Sequence, residues 1–430
     1  MKDQKLSHRE TQRTHRETQR FFLRVPPCLL RVTLCNQSNF IFLLSILLMT
    51  PVSALAQQSI TLEQAVALAK ENSPRLKSAE TSIEVAKASK GESWELSYTA
   101  LDYSWGQINS PIKNDRQLTV IQPLGSIITP FYKNALAERQ VATGQHYRDI
   151  VEKEITAEVT RAWTHYLYVR SLVELFSELS HFSDQLLQVG ELRYRTGDIT
   201  LLERNMTATQ AAAMRSKVFH ANEEYKLAAA RLQWACFSDT PVVPADTALT
   251  LMFVETNDGH LGESYNAYYN SLADEMQAQA SIERSRLFPE LSVGYMHQHI
   301  LPDRNLNAWT VGIAVPLFFA PQKSRIKQAK LNADMARYEA QANIRVLNNT
   351  LEALKSDLRR YGETVAYYRS SVLPETEALI TAAKLQLEHN DTDISQFIQS
   401  MNHALDIKQQ YAEVIYLYNV AALEYELYHD

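Results

Sequence analysis

Apolar residues recur at alternating steps of four and three over two long stretches of this chain, the spacing of a coiled-coil seam. The first seam is Ile155, Val159, Ala162, Tyr166, Val169, Val173 and Phe176. It lies in a Gly-poor, Pro-free run that predicts a helix from Phe131 to Arg195, ending abruptly at Tyr194-Arg195-Thr196-Gly197-Asp198-Ile199. A helix of that length spans on the order of 100 Å at 1.5 Å per residue. The second seam is Ile344, Leu347, Leu351, Leu354, Leu358, Tyr361, Val365, Tyr368 and Val372, with Pro374 expected to kink or restart the rod. Its tip is Asn390-Asp391-Thr392-Asp393-Ile394. Two such rods predict an elongated protein rather than a compact enzyme.

The pattern between the rods changes period. Leu96 to Trp105 and Gln117 to Gln122 alternate in the manner of strands, as do Leu291 to His297 and Trp309 to Val315. Pro123 and Pro316 are expected to end the second strand of each pair. Return helices follow both rods, the first running to about Phe237 with Leu201, Leu202, Met206 and Leu227 on its apolar side. The second carries Tyr411, Ile415, Tyr418 and Ala422. A helix precedes each strand pair, one with Thr61 as N-cap and a restart at Pro74, the other opening near Glu263. Prolines 111, 123 and 130 recur about 190 residues later as 302, 316 and 321, and Asp198-Ile199 as Asp393-Ile394. The chain therefore reads as a duplication: a first repeat over 57–240, a linker over 241–262 and a second repeat over 263–430. Four strands of this length cannot close a membrane barrel alone, so they require strands from other copies.

Residues 1–56 are set apart from the fold. Phe40 to Met49 is an apolar core, and Ala54-Leu55-Ala56 is a small-x-small site, together the pattern of an export signal cleaved after Ala56. The long polar segment ahead of it repeats His8 to Arg13 as His15 to Arg20, which suggests a start codon placed too far upstream. Cys28 and Cys35 fall in this part, leaving Cys236 as the one later cysteine, expected as a buried thiol near a helix end. The chain carries a net −6, but the first 56 residues hold eight Lys/Arg against three Asp/Glu, so the remainder carries −11. That balance argues against a nucleic-acid partner.

The order of elements and several short signatures resemble the TolC family of outer-membrane efflux ducts. Thr61 to Pro74 resembles the family's opening helix, and Ser285 to Ser292 its entry to the third strand. Val315-Pro316-Leu317-Phe318 resembles the exit from the fourth, and Arg193 to Ile199 the periplasmic tip. The resemblance implies a mainly α chain with a small β part, three copies of which form a twelve-stranded barrel continued by a helical periplasmic tunnel. It implies residence in the outer membrane and its lipid, and docking of the tip on a periplasmic adaptor and an inner-membrane RND-type pump. Lys90 to Leu96, Trp105 to Ser110 and Ile394 to Lys408 resemble the subgroup that serves heavy-metal exporters. Drug efflux or type I protein secretion is the alternative cargo, and a periplasmic coiled-coil scaffold or adaptor the alternative class.

The candidate docking residues implied by the resemblance are Tyr194, Arg195, Thr196, Gly197 and Asp198, with Asn390, Asp391, Thr392 and Asp393. Some relatives narrow the tip with aspartates six and nine residues after the tip glycine. Here those positions hold Glu203 and Met206 after Gly197, and Ile398 and Met401 after Thr392, which replaces the second glycine. Glu203 is the nearest candidate for a luminal gate. Met296, His297 and His299 carry atoms suited to copper, silver or zinc, but polar, lumen-facing residues near a barrel rim account for them, so neither a metal nor a cofactor is expected. Tyr98, Tyr103, Trp105, Tyr295 and Trp309 are candidates for interfacial belts. No phosphate-binding loop, nucleophile elbow or zinc-protease helix is present in the sequence.

Overall fold

A computed structural model describes residues 59–108, 115–254, 262–300, 304–389 and 393–429. The segment expected to be an export signal, together with Asn390, Asp391 and Thr392 of the second tip, lies outside these residues. The unit described spans Gln57–Asp430.

The chain opens on a two-residue strand, β1 (Ser59–Ile60), and helix α1 (Leu62–Asn72). Thr61 caps α1 as its position predicts: the Gln64 N–H donates to Thr61 Oγ1 at 3.3 Å, and the Thr61 N–H donates to Gln64 Oε1 at 3.0 Å. This reciprocal pair satisfies two of the helix's orphan donors. Ser73 closes α1 and caps α2 (Pro74–Glu92), where Pro74 costs nothing because a first-turn N–H has no helical partner.

Strands β2 (Ala100–Gly106) and β3 (Asp115–Gly125) lead into α3 (Thr129–Thr196), a single helix of 68 residues. Ile155, Val159, Tyr166, Val169 and Phe176 of the first seam are buried, as expected from their spacing. The return helix is α4 (Leu201–Ala235). Its apolar side is only partly where the sequence suggested. Met206 packs against the cluster around Leu186 and Phe397, but Leu201, Leu202 and Leu227 are exposed, and the buried face of α4 is Thr207, Ala211, Met214, Ala221, Ala228 and Leu232. Small side chains let the two backbones approach, and hydropathy contrast does not reveal a seam made of alanine. Cys236 caps α4 and is buried, as expected. Burial pushes its thiol up to about 11.

The linker passes through β4 (Val243–Pro244), which pairs in parallel with β1. It is pinned further on by Asn419, a buried residue whose Oδ1 accepts from the Met252 N–H at 2.9 Å while its Nδ2 donates to Thr250 O at 2.7 Å.

The second half repeats the order of elements: α5 (Glu263–Ser285), β5 (Glu290–Ile300), β6 (Arg304–Ala314) and α6 (Phe319–Tyr367). A π segment (Tyr368–Val372) interrupts the rod before α7 (Leu373–Glu388), and α8 (Ile394–Tyr428) returns. The rod restarts at Pro374 as expected. The proline lacks an N–H and its ring crowds the preceding turn, so the Leu373 N–H reaches back five residues to Tyr368 O. Leu351, Leu354, Leu358 and Val365 of the second seam are buried.

The strands form one antiparallel sheet in the order β2-β3-β5-β6. Two expectations fail here. Leu96 to Thr99 are not in strand β2, since the Gln122 Nε2 donates to Ser97 O at 2.9 Å and a side chain replaces the backbone ladder. Pro123 does not end β3 but lies inside it, at a register shift against β5 between Pro123 and Gly125, where a bulge tolerates the missing donor.

Candidate functional site

Side-chain parity divides the sheet into two unlike faces. Leu101, Tyr103 and Trp105 of β2 stand opposite Val120, Leu118 and Arg116 of β3. Those β3 residues stand opposite Tyr295, His297 and His299 of β5, and these opposite Trp309, Asn307 and Asn305 of β6. Val293, Val311 and Ile313 continue the same face. It is apolar over most of its height, and Leu101, Trp105, Trp309, Val311 and Ile313 are exposed. The other face carries Asp102, Ser104, Gln117, Thr119, Ser292, Gln298 and Thr310, with Ile121, Met296 and Leu306 among them. The Gln117 Nε2 donates to Thr119 Oγ1 at 3.1 Å on that face. The sheet thus has one mostly apolar and one mostly polar face, the side-chain alternation that membrane barrels also use.

The sheet ends in two edge strands, β2 and β6, each without a strand partner on its outer side among the described residues. Each presents a row of backbone donors and acceptors, an unstable arrangement in hydrocarbon and a template for pairing in general. The helices add to these edges. Leu202, Phe219, Leu227 and Trp234 of α4, and Leu331, Met335, Tyr338, Val346 and Tyr367 of α6, are exposed large apolar side chains. Among the described residues, no helix is long and apolar enough to cross a membrane.

Register also relocates the histidines. His297 and His299 share a face, as their spacing requires, but it is the apolar face and not the polar one expected for a lumen. His297 Nδ1 lies 2.7 Å from Asn307 Oδ1 and His299 Nδ1 lies 2.8 Å from Asn305 Oδ1, so each ring N–H donates to an amide carbonyl on β6. Among the described residues, no three His, Cys, Asp or Glu side chains are grouped to hold a metal ion. The aromatics Tyr103, Trp105, Tyr295 and Trp309 lie on the apolar face as well. Tyr295 and Trp309 are cross-strand partners with centroids 5.0 Å apart.

At the first tip, α3 stops because Gly197 takes the left-handed conformation at φ 81°. The Asp198 N–H donates to Arg193 O at 2.8 Å and the Gly197 N–H to Tyr194 O at 3.1 Å. Thr196 Oγ1 donates to Asp198 Oδ2 at 2.6 Å. Tyr194, Arg195, Thr196 and Gly197 are exposed. Glu203 is the closing partner of a capping box: its Oε2 accepts from the Thr200 N–H at 2.7 Å while its own N–H donates to Thr200 Oγ1 at 3.2 Å. The Thr200 backbone N–H and then the Thr200 hydroxyl hold the Glu203 carboxyl below its ordinary value, with Asp393 of the second tip also in hydrogen-bonding reach. Asp393 itself caps α8, accepting from the Ser395 N–H at 3.2 Å. Ile398 and Met401, at the positions where some TolC-family members have aspartates, are buried with Phe397 and Leu186 between the two hairpins.

A sheet with one apolar face and two open edges, continued by long helical hairpins, recurs in solved structures of outer-membrane channels. The chain resembles three such crystal structures. It superposes on CusC, described through the changes that accompany its folding and transmembrane channel formation, with TM-score 0.72 and 12% identity over 86% of this chain and 93% of that one. The CmeC outer-membrane channel of Campylobacter jejuni gives TM-score 0.70 and 12% identity over 85% and 84%. The open state of the MtrE outer-membrane channel of Neisseria gonorrhoeae gives 0.66 and 12% over 85% and 88%. No protein-family model and no curated protein sequence matches the chain. At these identities the likeness establishes the fold.

Proposed function

We propose that this protein belongs to the TolC family and forms the exit duct of a tripartite efflux system. Three copies would pool four strands each into a twelve-stranded barrel in the outer membrane, with the hairpins as the wall of a periplasmic tunnel. The observation that carries this reading is the four-stranded sheet with an apolar face and open outer edges on β2 and β6. Such strands survive in lipid only by closing against copies of themselves. The hairpin tips, with Gly197 and Asp393 at their turns, dock on a periplasmic adaptor coupled to an inner-membrane RND-type pump. In this reading Glu203 serves first as a helix cap.

A duct need not recognise what passes through it. Metal cations are the cargo we propose to test first, on the resemblance of Lys90 to Leu96 and of the α8 start to ducts of heavy-metal exporters. Membrane fractionation and semi-native gels test the assembly: a heat-modifiable trimer in the outer-membrane fraction is expected, and a soluble periplasmic monomer overturns it. Growth of a deletion strain against copper, silver, zinc, cobalt and cadmium, beside drugs and bile salts, tests the cargo. Sensitivity to drugs alone keeps the duct and discards the metal.

A further inference from the structure

The apolar face of the sheet ends in a band that does not belong in hydrocarbon. In the row that joins the four strands nearest their connecting turns, Trp105, Arg116, His299 and Asn305 stand side by side. One row inward stand Tyr103, Leu118, His297 and Asn307. Further inward the same face becomes Leu101, Val120, Tyr295 and Trp309, then Val293 and Val311. From His299 to Tyr295 is about 14 Å along the strand at about 3.4 Å per residue. Arg116 and His299 therefore sit at the outer margin of the membrane-facing surface, level with an exposed Trp105, and His297 lies one row inward beside Tyr103.

A cation on the lipid side of a barrel is costly at mid-bilayer and tolerated only at the interface, where its counter-charge is the headgroup. The duct-wall reading of these residues, on which this inference rests, makes the turns between strands the outer end. We propose that Arg116, His297 and His299 form a binding site for the phosphate of an outer-leaflet lipid headgroup. Arginine offers several N–H donors in a fork that matches phosphate oxygens. Each histidine is held by its β6 asparagine: the Nδ1–H is committed to an amide carbonyl, so the Nε2 edge is the one left for a ligand. The asparagine keeps each ring fixed with Nε2 as a hydrogen-bond acceptor, which fits the P–O–H of a headgroup phosphate. The Tyr295 hydroxyl donates to the same Asn307 Oδ1 at 2.9 Å and locks the amide in turn. Acyl chains of the bound lipid lie on Val120, Val293, Val311 and Trp309 below.

The test uses the full-length protein purified in detergent, delipidated, and titrated with bisphosphorylated lipid A while bound lipid is read by native mass spectrometry. The control ligands are diacylglycerol, which has chains without phosphate, and inorganic phosphate, which has no chains. Wild-type protein is expected to retain lipid A over diacylglycerol, and the R116Q/H297N/H299N variant to lose that preference by roughly tenfold or more. Single variants should each lose part of it. Equal retention of lipid A by wild type and variant overturns the site, because the apolar band alone then holds the lipid. Tight binding of inorganic phosphate on its own overturns the lipid as its source. Stoichiometric zinc or copper binding that H297N/H299N abolishes, without lipid preference, reassigns the pair as metal ligands and overturns the proposal. Outer-membrane localisation is checked on the same preparation, so failure of the duct reading is told apart from failure of the headgroup site.

Discussion

Replacing Gly197 separates two reasons why a tip might tolerate no change. Its φ of 81° is a conformation that side-chain-bearing residues adopt at a cost of about 1–2 kcal/mol, more for a β-branched residue. The two terminal hydrogen bonds, Asp198 N–H to Arg193 O and Gly197 N–H to Tyr194 O, depend on that φ and are worth about 1 kcal/mol each. A Cβ at this position meets nothing within 4 Å, so no clash inside the protomer adds to the cost. G197V should therefore lose about 2–4 kcal/mol of local tip stability, G197A about half of that, and G197N little, since asparagine enters the left-handed region readily. All three should leave the trimer in the membrane, because the cores around Trp163 and Leu354 lie far along the hairpins. In a complemented deletion strain the order of resistance should be wild type, G197N, G197A, G197V. Cysteine crosslinking to the adaptor should follow the same order. If G197N fails as badly as G197V, side-chain bulk matters and the backbone argument is wrong. If G197V restores full resistance, this tip does not dock.

Three other outcomes follow from the packing. A Cβ at Gly190 would lie 2.7 Å from Thr207 Oγ1 and 3.1 Å from its Cγ2, so G190A should destabilise the first hairpin by about 1–2 kcal/mol, overpacking partly offset by the better helix propensity of alanine. Adding T207A should recover most of it in a double-mutant thermal melt, and strict additivity would contradict the contact. At Glu203, E203Q keeps a side chain that can close the capping box and should support normal efflux, whereas E203A should loosen the start of α4. The carboxyl is held below its ordinary value, so its contribution is present at neutral pH and lost as pH falls through that lowered value, visible as weaker amide protection at Thr200 and Glu203. Cys236 should resist alkylation at pH 8 until the protein unfolds. Its thiol is raised from 9 to about 11, so any stability it confers is present below pH 9 and is lost as pH climbs toward 11.

The long helices were legible because their seams are built of large residues at unbroken spacing, and because Gly197 and Thr61 carry termination and capping in their chemistry. What escaped the sequence had physical reasons. The α4 seam hides because Ala211, Ala221 and Ala228 bury well yet differ little from the alanines on its exposed side. Pro123 looks like a strand end until its pairing with β5 shows a bulge in β3 itself that accepts it. His297 and His299 could be placed on a common face from spacing alone, but which face needed the registers of all four strands. The pairing of Glu203 with Thr200 is a local rule that could have been read from Thr200 and Glu203 three residues apart.

The two ends of the sheet are not alike: one is β2, beside the first repeat, and the other is β6, beside the second. A contact that joins unlike edges is head-to-tail and has no two-fold axis, so in the proposed ring every subunit would point the same way. In the proposed trimer the duct would inherit a sense of direction from chain order alone, before any pump is attached. It also has no spare parts. A subunit with only its β2 edge blocked can still recruit a neighbour at β6, yet it leaves the ring unclosed. With half the subunits so altered, random mixing of three leaves about one ring in eight intact, and a single bad allele would act as a poison rather than a passenger.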